Sequence, residues 1–336
     1  MRIIPETSHN CQSPWQIELQ QIITDPAELL QTLALPLDLL PAAMEASRLF
    51  PLKAPRPFIA RIRPGDLNDP LLKQILPLGI EAEAVEGFTT DPLQEQQANQ
   101  RPGLLHKYNS RVLLIATGTC AVNCRYCFRR HFPYQENNPG RLGWQQSLNY
   151  IAADTSIHEV ILSGGDPLML SDQTLAWFFE QLSAIKHVQI VRLHTRLPIV
   201  IPQRITSALI RSLTSTRLTP VIVLHCNHAQ EIDQSVSTAA AQLKAAGITL
   251  LNQAVLLRGV NDNTETLSAL SYQLFSTGVL PYYLHLCDRV TGAAHFFVPA
   301  TTAVQLHQHL QQHLPGYLVP RLVQEQPGAG AKTALN

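Results

Sequence analysis

An excess of charge of either sign is missing from this sequence: 25 Lys and Arg offset 25 Asp and Glu. A chain that grips nucleic acid or an anionic membrane surface normally carries a basic surplus, so no nucleic-acid or membrane partner is expected. No run of about 18 apolar residues occurs, which excludes a membrane-spanning helix. The first ten residues have no apolar signal core, and the expectation is a soluble cytoplasmic protein. The low-hydrophobicity, high-charge composition of disordered chains is absent too, with 45% hydrophobic and 15% charged residues in 336. That length can bury a large core in one large or two modest domains. No internal repeat appears beyond a strand–helix period.

Prolines crowd the first hundred residues, with short apolar helical stretches between them at 17–23, 26–35 and 37–50. Each proline fixes φ and tends to start or end an element. Residues 1–102 read as a helical N-terminal extension wrapped on something larger, and the glutamine-rich stretch 89–102 as a linker. From residue 111 six apolar runs read as buried parallel strands: 111–117, 159–163, 189–195, 220–226, 249–257 and 282–287. Amphipathic helical stretches separate and follow them at 144–153, 171–185, 205–214, 230–246, 263–275 and 302–314. Strands alternating with helices give a parallel sheet, and the unit length suits an α/β fold of the partial (βα)6 TIM-barrel type. A doubly wound sheet would want a glycine-rich dinucleotide loop after the first strand, and there is none.

Directly after the first strand comes Cys120-Ala-Val-Asn-Cys124-Arg-Tyr-Cys127. The other cysteines, Cys11, Cys226 and Cys287, are scattered, so this is not the framework of a small disulfide-rich protein. Three thiolates on one tight loop suit three corners of a cubic iron–sulfur cluster, leaving one iron open to a small-molecule chelator. A structural zinc and three unrelated buried thiols are the alternatives. Zinc usually takes four protein ligands, and no second suitably spaced pair is present.

The C-x3-C-x2-C spacing is that of the radical S-adenosylmethionine superfamily. Cys124-Arg-Tyr-Cys-Phe-Arg-Arg130, Leu162-Ser-Gly-Gly-Asp-Pro-Leu168, Pro202-Gln-Arg-Ile-Thr206, Asn252 to Asp262, Pro281-Tyr-Tyr and a near-terminal Lys332 together resemble the lysine 2,3-aminomutase family. The resemblance covers about two-thirds of the chain, from residue 103 onward. Gly103-Leu-Leu-His-Lys-Tyr108 and the extended cysteine motif look most like the branch that serves elongation factor P.

The resemblance implies a [4Fe–4S] cluster on Cys120, Cys124 and Cys127, S-adenosylmethionine on its open iron, and pyridoxal 5′-phosphate. It implies L-lysine as substrate, (R)-β-lysine as product, and a functional link to elongation factor P and its lysyl ligase. An electron donor of the reduced flavodoxin or ferredoxin type would serve the cluster. Ser163, Gly164, Gly165 and Asp166 would hold the amino end of S-adenosylmethionine, with His225 and Gln253 near it. Lys332 would carry pyridoxal phosphate; Lys107 and Arg111 would bind its phosphate, Lys107 standing where the family has arginine. Arg129 would grip the substrate carboxylate. Asp288 and Glu325 would take its ε-ammonium, Glu325 standing where the family has aspartate. Asn263 stands where clostridial members have a zinc cysteine, and their C-terminal cysteine cluster has no counterpart, so no zinc is expected. The chain divides on this reading into the extension, a barrel at 103–326, and a segment 327–336 carrying Lys332. Other readings keep the same residues: the same reaction in lysine catabolism, a radical enzyme without pyridoxal phosphate, or an inactive iron–sulfur binding module.

Overall fold

The computed structural model describes residues 13–137 and 140–335; Cys11 lies outside them. One ten-stranded sheet carries the fold: β1 Asn99–Arg101, β2 Leu104–Tyr108, β3 Arg111–Thr117, β4 Glu159–Gly164, β5 Ile190–Thr195, β6 Thr219–Leu224, β7 Thr249–Leu256, β8 Leu280–Leu286, β9 Arg321–Gln324 and β10 Thr333–Ala334. The strands neighbour one another in chain order. Pairing is parallel from β3 to β9 and antiparallel at both margins. All six strands read from the sequence are present. Beyond them the sheet gains a seventh parallel strand, β9, and antiparallel β1, β2 and β10. Residues 327–335 are therefore not a free tail: Thr333 pairs with Gln324.

The helices fall where amphipathic periodicity puts them, and their starts are capped. Ser171, Thr206, Asp233 and Asn263 each accept a backbone N–H in the first turn of the helix that follows. These caps satisfy donors that a helix start leaves unpaired. Asn263 thus has a local structural job at its position.

Burial alternates with period two along the strands. In β5, Val191, Leu193 and Thr195 are buried against the helices, while Ile190, Arg192 and His194 face inward; in β7, Leu251, Gln253 and Val255 do the same. A single cavity of about 730 Å³ is lined from β2 through β8 and by Glu325 and Lys332, which requires the sheet to curl. Barrel interiors are usually filled by layers of branched apolar side chains. Here arginine, histidine and glutamine share those layers with isoleucine, valine and leucine, and the interior is hollow. Among the described residues the two margins share no backbone ladder. Lys107 on β2 instead reaches Glu325, just beyond β9, at 2.9 Å.

The extension forms helices Pro14–Gln20, Pro26–Thr32 and Leu40–Leu49, and its apolar side chains join the main core. It also clamps the cysteine loop. Asn123 N–H donates to the Lys53 carbonyl at 3.1 Å, and Arg125 N–H to the Gln74 carbonyl at 2.9 Å. The Arg125 side chain, fully buried, forks onto Glu81 at 2.8 and 2.6 Å, and Arg130 donates to the same carboxylate at 2.8 Å. Removing one partner of a buried ion pair costs more than the pair contributes, because a charge is stranded. Glu81→Ala strands two guanidiniums. It is expected to lower unfolding free energy by about 3–5 kcal/mol, read as a lower urea midpoint at unchanged slope.

The stretch 89–102 is not a linker. Thr89 bridges to Val290, Leu93 is buried, and Glu95 begins a short helix, Glu95–Ala98, with its carboxylate inside the cavity wall.

Candidate active site

The cysteine loop leaves the C-terminal end of β3, and Cys120, Cys124 and Cys127 all line the cavity. A tight turn, Cys127 N–H to the Cys124 carbonyl at 2.9 Å, sets the spacing of two of them. Burial pushes the Cys120 and Cys127 thiols up, Cys127 to about 11. They rest protonated until a metal takes the proton's place, since a coordinated thiol is deprotonated outright. Arg196 Nη1 donates to Cys124 Sγ at 2.7 Å. Arg196 is itself held by Gln74, Tyr126 and Glu231. No motif in the sequence marked this arginine.

Beside the cysteines lies 163–166. Ser163 Oγ accepts from Arg129 Nη1 at 3.1 Å. Gly164 adopts φ +112°, and a Cβ on Gly165 would come within 2.3 Å of the Thr119 carbonyl. The glycines are required for the loop to pack against Thr117 and Thr119. Asp166 is committed to the protein: its oxygens accept from Leu168 N–H, Thr195 Oγ1, Arg196 N–H and Leu197 N–H. What Asp166 contributes to the cavity is the shape of the loop. Gln253 and His225 lie 2.8 Å apart on the cavity wall. Burial drives the His225 imidazole down to about 3, so it is neutral near pH 7.

Across the cavity the charged residues form a chain. Arg129 forks onto Glu95 at 2.6 and 2.8 Å. Lys107 joins Glu95 at 3.2 Å to Glu325 at 2.9 Å, and Lys332 meets the other Glu325 oxygen at 2.8 Å. Burial alone would raise the Glu325 carboxyl, but Lys332 and Lys107 hold it well below the usual carboxylate range. Asp288 lines the same cavity, and burial pushes its carboxyl up to about 7. Arg111 lines the cavity too, stacked 4.6 Å from the Tyr108 ring. The structure thus gathers every residue singled out from the sequence around one cavity. It adds Glu95, placed by sequence pattern in a linker, and Arg196.

Residues 114–210 match the Radical SAM superfamily. Over 334 residues the chain is 50% identical to the L-lysine 2,3-aminomutase of Haemophilus influenzae, covering 99% of each chain. The chain belongs to the L-lysine 2,3-aminomutase family. It is also 50% identical to the Escherichia coli K12 member, over 96% of this chain and 94% of that one. Identity to the Clostridium subterminale member is 39%, over 82% of this chain and 66% of that one.

The lysine 2,3-aminomutase family works with a [4Fe–4S] cluster, S-adenosylmethionine and pyridoxal 5′-phosphate. The residues present fit these groups. Among the described residues no three His, Cys, Asp or Glu side chains converge on a single metal ion. A cubane does not require that, because each thiolate takes a different iron. His194 and His285 each present a buried Nε2 with no protein partner on the cavity wall. Such atoms are open to a bound group or to ordered water in the cavity. Lys332 supplies a primary amine inside the same space.

Proposed function

We propose that this chain is an L-lysine 2,3-aminomutase that converts L-α-lysine to (R)-β-lysine. The observation that carries the reading is one cavity lined by three cysteines, by the carboxylates Asp288 and Glu325, and by Lys332, whose amine lies 2.8 Å from Glu325. When bound, the cluster with S-adenosylmethionine supplies a carbon radical, and pyridoxal phosphate supplies a carbonyl that tethers the amine. The chain's own residues bind, orient and exclude water. Cys120, Cys124 and Cys127 hold the cluster. Ser163, Gly164, Gly165, His225 and Gln253 shape the S-adenosylmethionine wall. Lys332 holds pyridoxal phosphate, with Arg111 and Lys107 facing its phosphate. Lysine serves there as a point charge and lacks arginine's fork.

L-Lysine is recognised from both ends. Arg129 takes the carboxylate, and Asp288 with Glu325 takes the ε-ammonium; carboxylates beside a bound ammonium make strong charge-assisted hydrogen bonds. Glutamate's extra methylene lets Glu325 touch Lys107 and Lys332 together. A substrate with an acidic side chain would meet two carboxylates there and be repelled.

Asp288 gives this recognition a pH dependence. Its carboxyl lies near 7, so below that pH it is protonated and cannot pair fully with the ammonium. L-Lysine affinity is expected to rise with pH and to level off above about 7, changing by up to tenfold per unit below it. Binding calorimetry at pH 6 in two buffers of different ionisation enthalpy should record proton release that Asp288→Asn loses.

We read the β-lysine as destined for elongation factor P, through its lysyl ligase, in the cytoplasm. The stretch Gly103–Tyr108, the extended cysteine motif and the full-length likeness to the Haemophilus and Escherichia chains support this branch. Among the described residues no helix is long and apolar enough to cross a membrane. Anaerobic reconstitution with iron, sulfide, pyridoxal phosphate, dithionite or reduced flavodoxin, S-adenosylmethionine and L-lysine tests the activity, with β-lysine read by mass spectrometry. Cleavage of S-adenosylmethionine without β-lysine would reject free lysine as the substrate. The mass of elongation factor P from cells lacking this chain tests the destination.

A further inference from the structure

We propose that Glu95 is a positioning residue for substrate binding: it holds Arg129 from the side and leaves the outer edge of the guanidinium to the carboxylate of L-lysine. The inference deepens the aminomutase reading and rests on it.

The geometry is explicit. Arg129 Nε donates to Glu95 Oε2 at 2.6 Å, and Nη2 donates to Oε1 at 2.8 Å. Nη1 donates to Ser163 Oγ at 3.1 Å. A guanidinium has five N–H donors. Three are engaged, and the two left over, one on each Nη, are open to a second carboxylate. Phe128 supports the guanidinium with its ring 4.7 Å from Cζ. Arg129 and Glu95 are both almost fully buried, yet Arg129 lines the cavity. The side chain is therefore fixed in plane and in direction before substrate arrives.

Glu95 also accepts from Lys107 Nζ at 3.2 Å. Without its charge, Arg129 would lose its forked partner and Lys107 would keep only Glu325. One carboxylate thus sets the carboxylate-binding arginine and a lysine facing the cofactor phosphate relative to each other. Small misplacements of such groups cost heavily in binding and rate. A purely structural ion pair would have the same distances, so the test must read recognition of the substrate carboxylate itself.

Holoenzyme reconstituted with cluster and pyridoxal phosphate, without S-adenosylmethionine, is titrated with L-lysine and with 1,5-diaminopentane, which is lysine lacking its carboxylate. The pyridoxal absorption band reports binding. Wild type is expected to prefer L-lysine. Glu95→Gln is expected to lose about tenfold or more in L-lysine affinity, with diamine affinity changed much less. Glu95→Asp, which keeps the charge at shorter reach, is expected to recover part of the loss and serves if the glutamine variant does not fold. In turnover the loss should appear in KM more than in kcat. Equal weakening of both ligands would make Glu95 merely structural and overturn the proposal. An unchanged preference overturns it as well, and tighter L-lysine binding would mean that Glu95 competes with substrate. A wild type without any preference for L-lysine would sink the substrate reading beneath it, a different and recognisable failure.

Discussion

Replacing Lys332 with alanine should abolish β-lysine formation, by about a thousandfold or more, while leaving the iron–sulfur chromophore intact. The residue lies in the short segment after β9 that folds back onto the sheet through β10, and its amine rests 2.8 Å from Glu325. A tethered amine at this place converts capture of a cofactor from an encounter into a fixed geometry, and effective molarities of that kind are large. The absorption band of lysine-bound pyridoxal phosphate should vanish in the variant. Iron content and S-adenosylmethionine binding should not, because the cysteine loop is held by Glu81, Lys53 and Gln74, far along the chain. Loss of iron in Lys332→Ala would mean that the two sites are one folding unit and would sink the separate assignment.

The opposite pattern is expected for Cys124→Ala. Cys124 is the thiol that receives the Arg196 guanidinium at 2.7 Å. Two thiolates hold a cubane poorly, and second-sphere donors to sulfur tune whatever remains. Iron content should fall to a small fraction, and both S-adenosylmethionine cleavage and β-lysine formation should drop below detection. Pyridoxal phosphate should still load on Lys332 with its normal band. A Cys124→Ala protein that cleaves S-adenosylmethionine would overturn the ligand assignment. Measured together, the two variants separate the radical source from the amine carrier inside one cavity.

The architecture was legible where periodicity is strong. Runs such as 111–117 and 249–257 are long, apolar and followed by amphipathic helices, and the structure places strands there. β9 and β10 were not legible, because Arg321–Gln324 and Thr333–Ala334 are short and depend on neighbours already in the sheet. The cysteine spacing and the Gly-Gly-Asp loop announced themselves as local patterns. Glu95 could not, since its environment is assembled from Arg129 and Lys107, and its own flanks are glutamine and alanine. Asp166 shows the converse. Its motif was visible, but only coordinates reveal that four internal donors consume its carboxylate.

The manner in which the sheet closes has a mechanical consequence. From β3 to β9 the wall is laced by backbone ladders, stiff and indifferent to what the interior holds. Between β2 and the end of β9 the margins meet through Lys107, Glu325 and Lys332. The clasp of the ring is thus made of side chains that line the cavity. The contact that crosses from one margin to the other is Lys107 with Glu325, so a substitution at either end would remove a side-chain bridge without touching a backbone ladder. This side-chain closure lies in the wall of the one cavity that gathers the cysteines and Lys332.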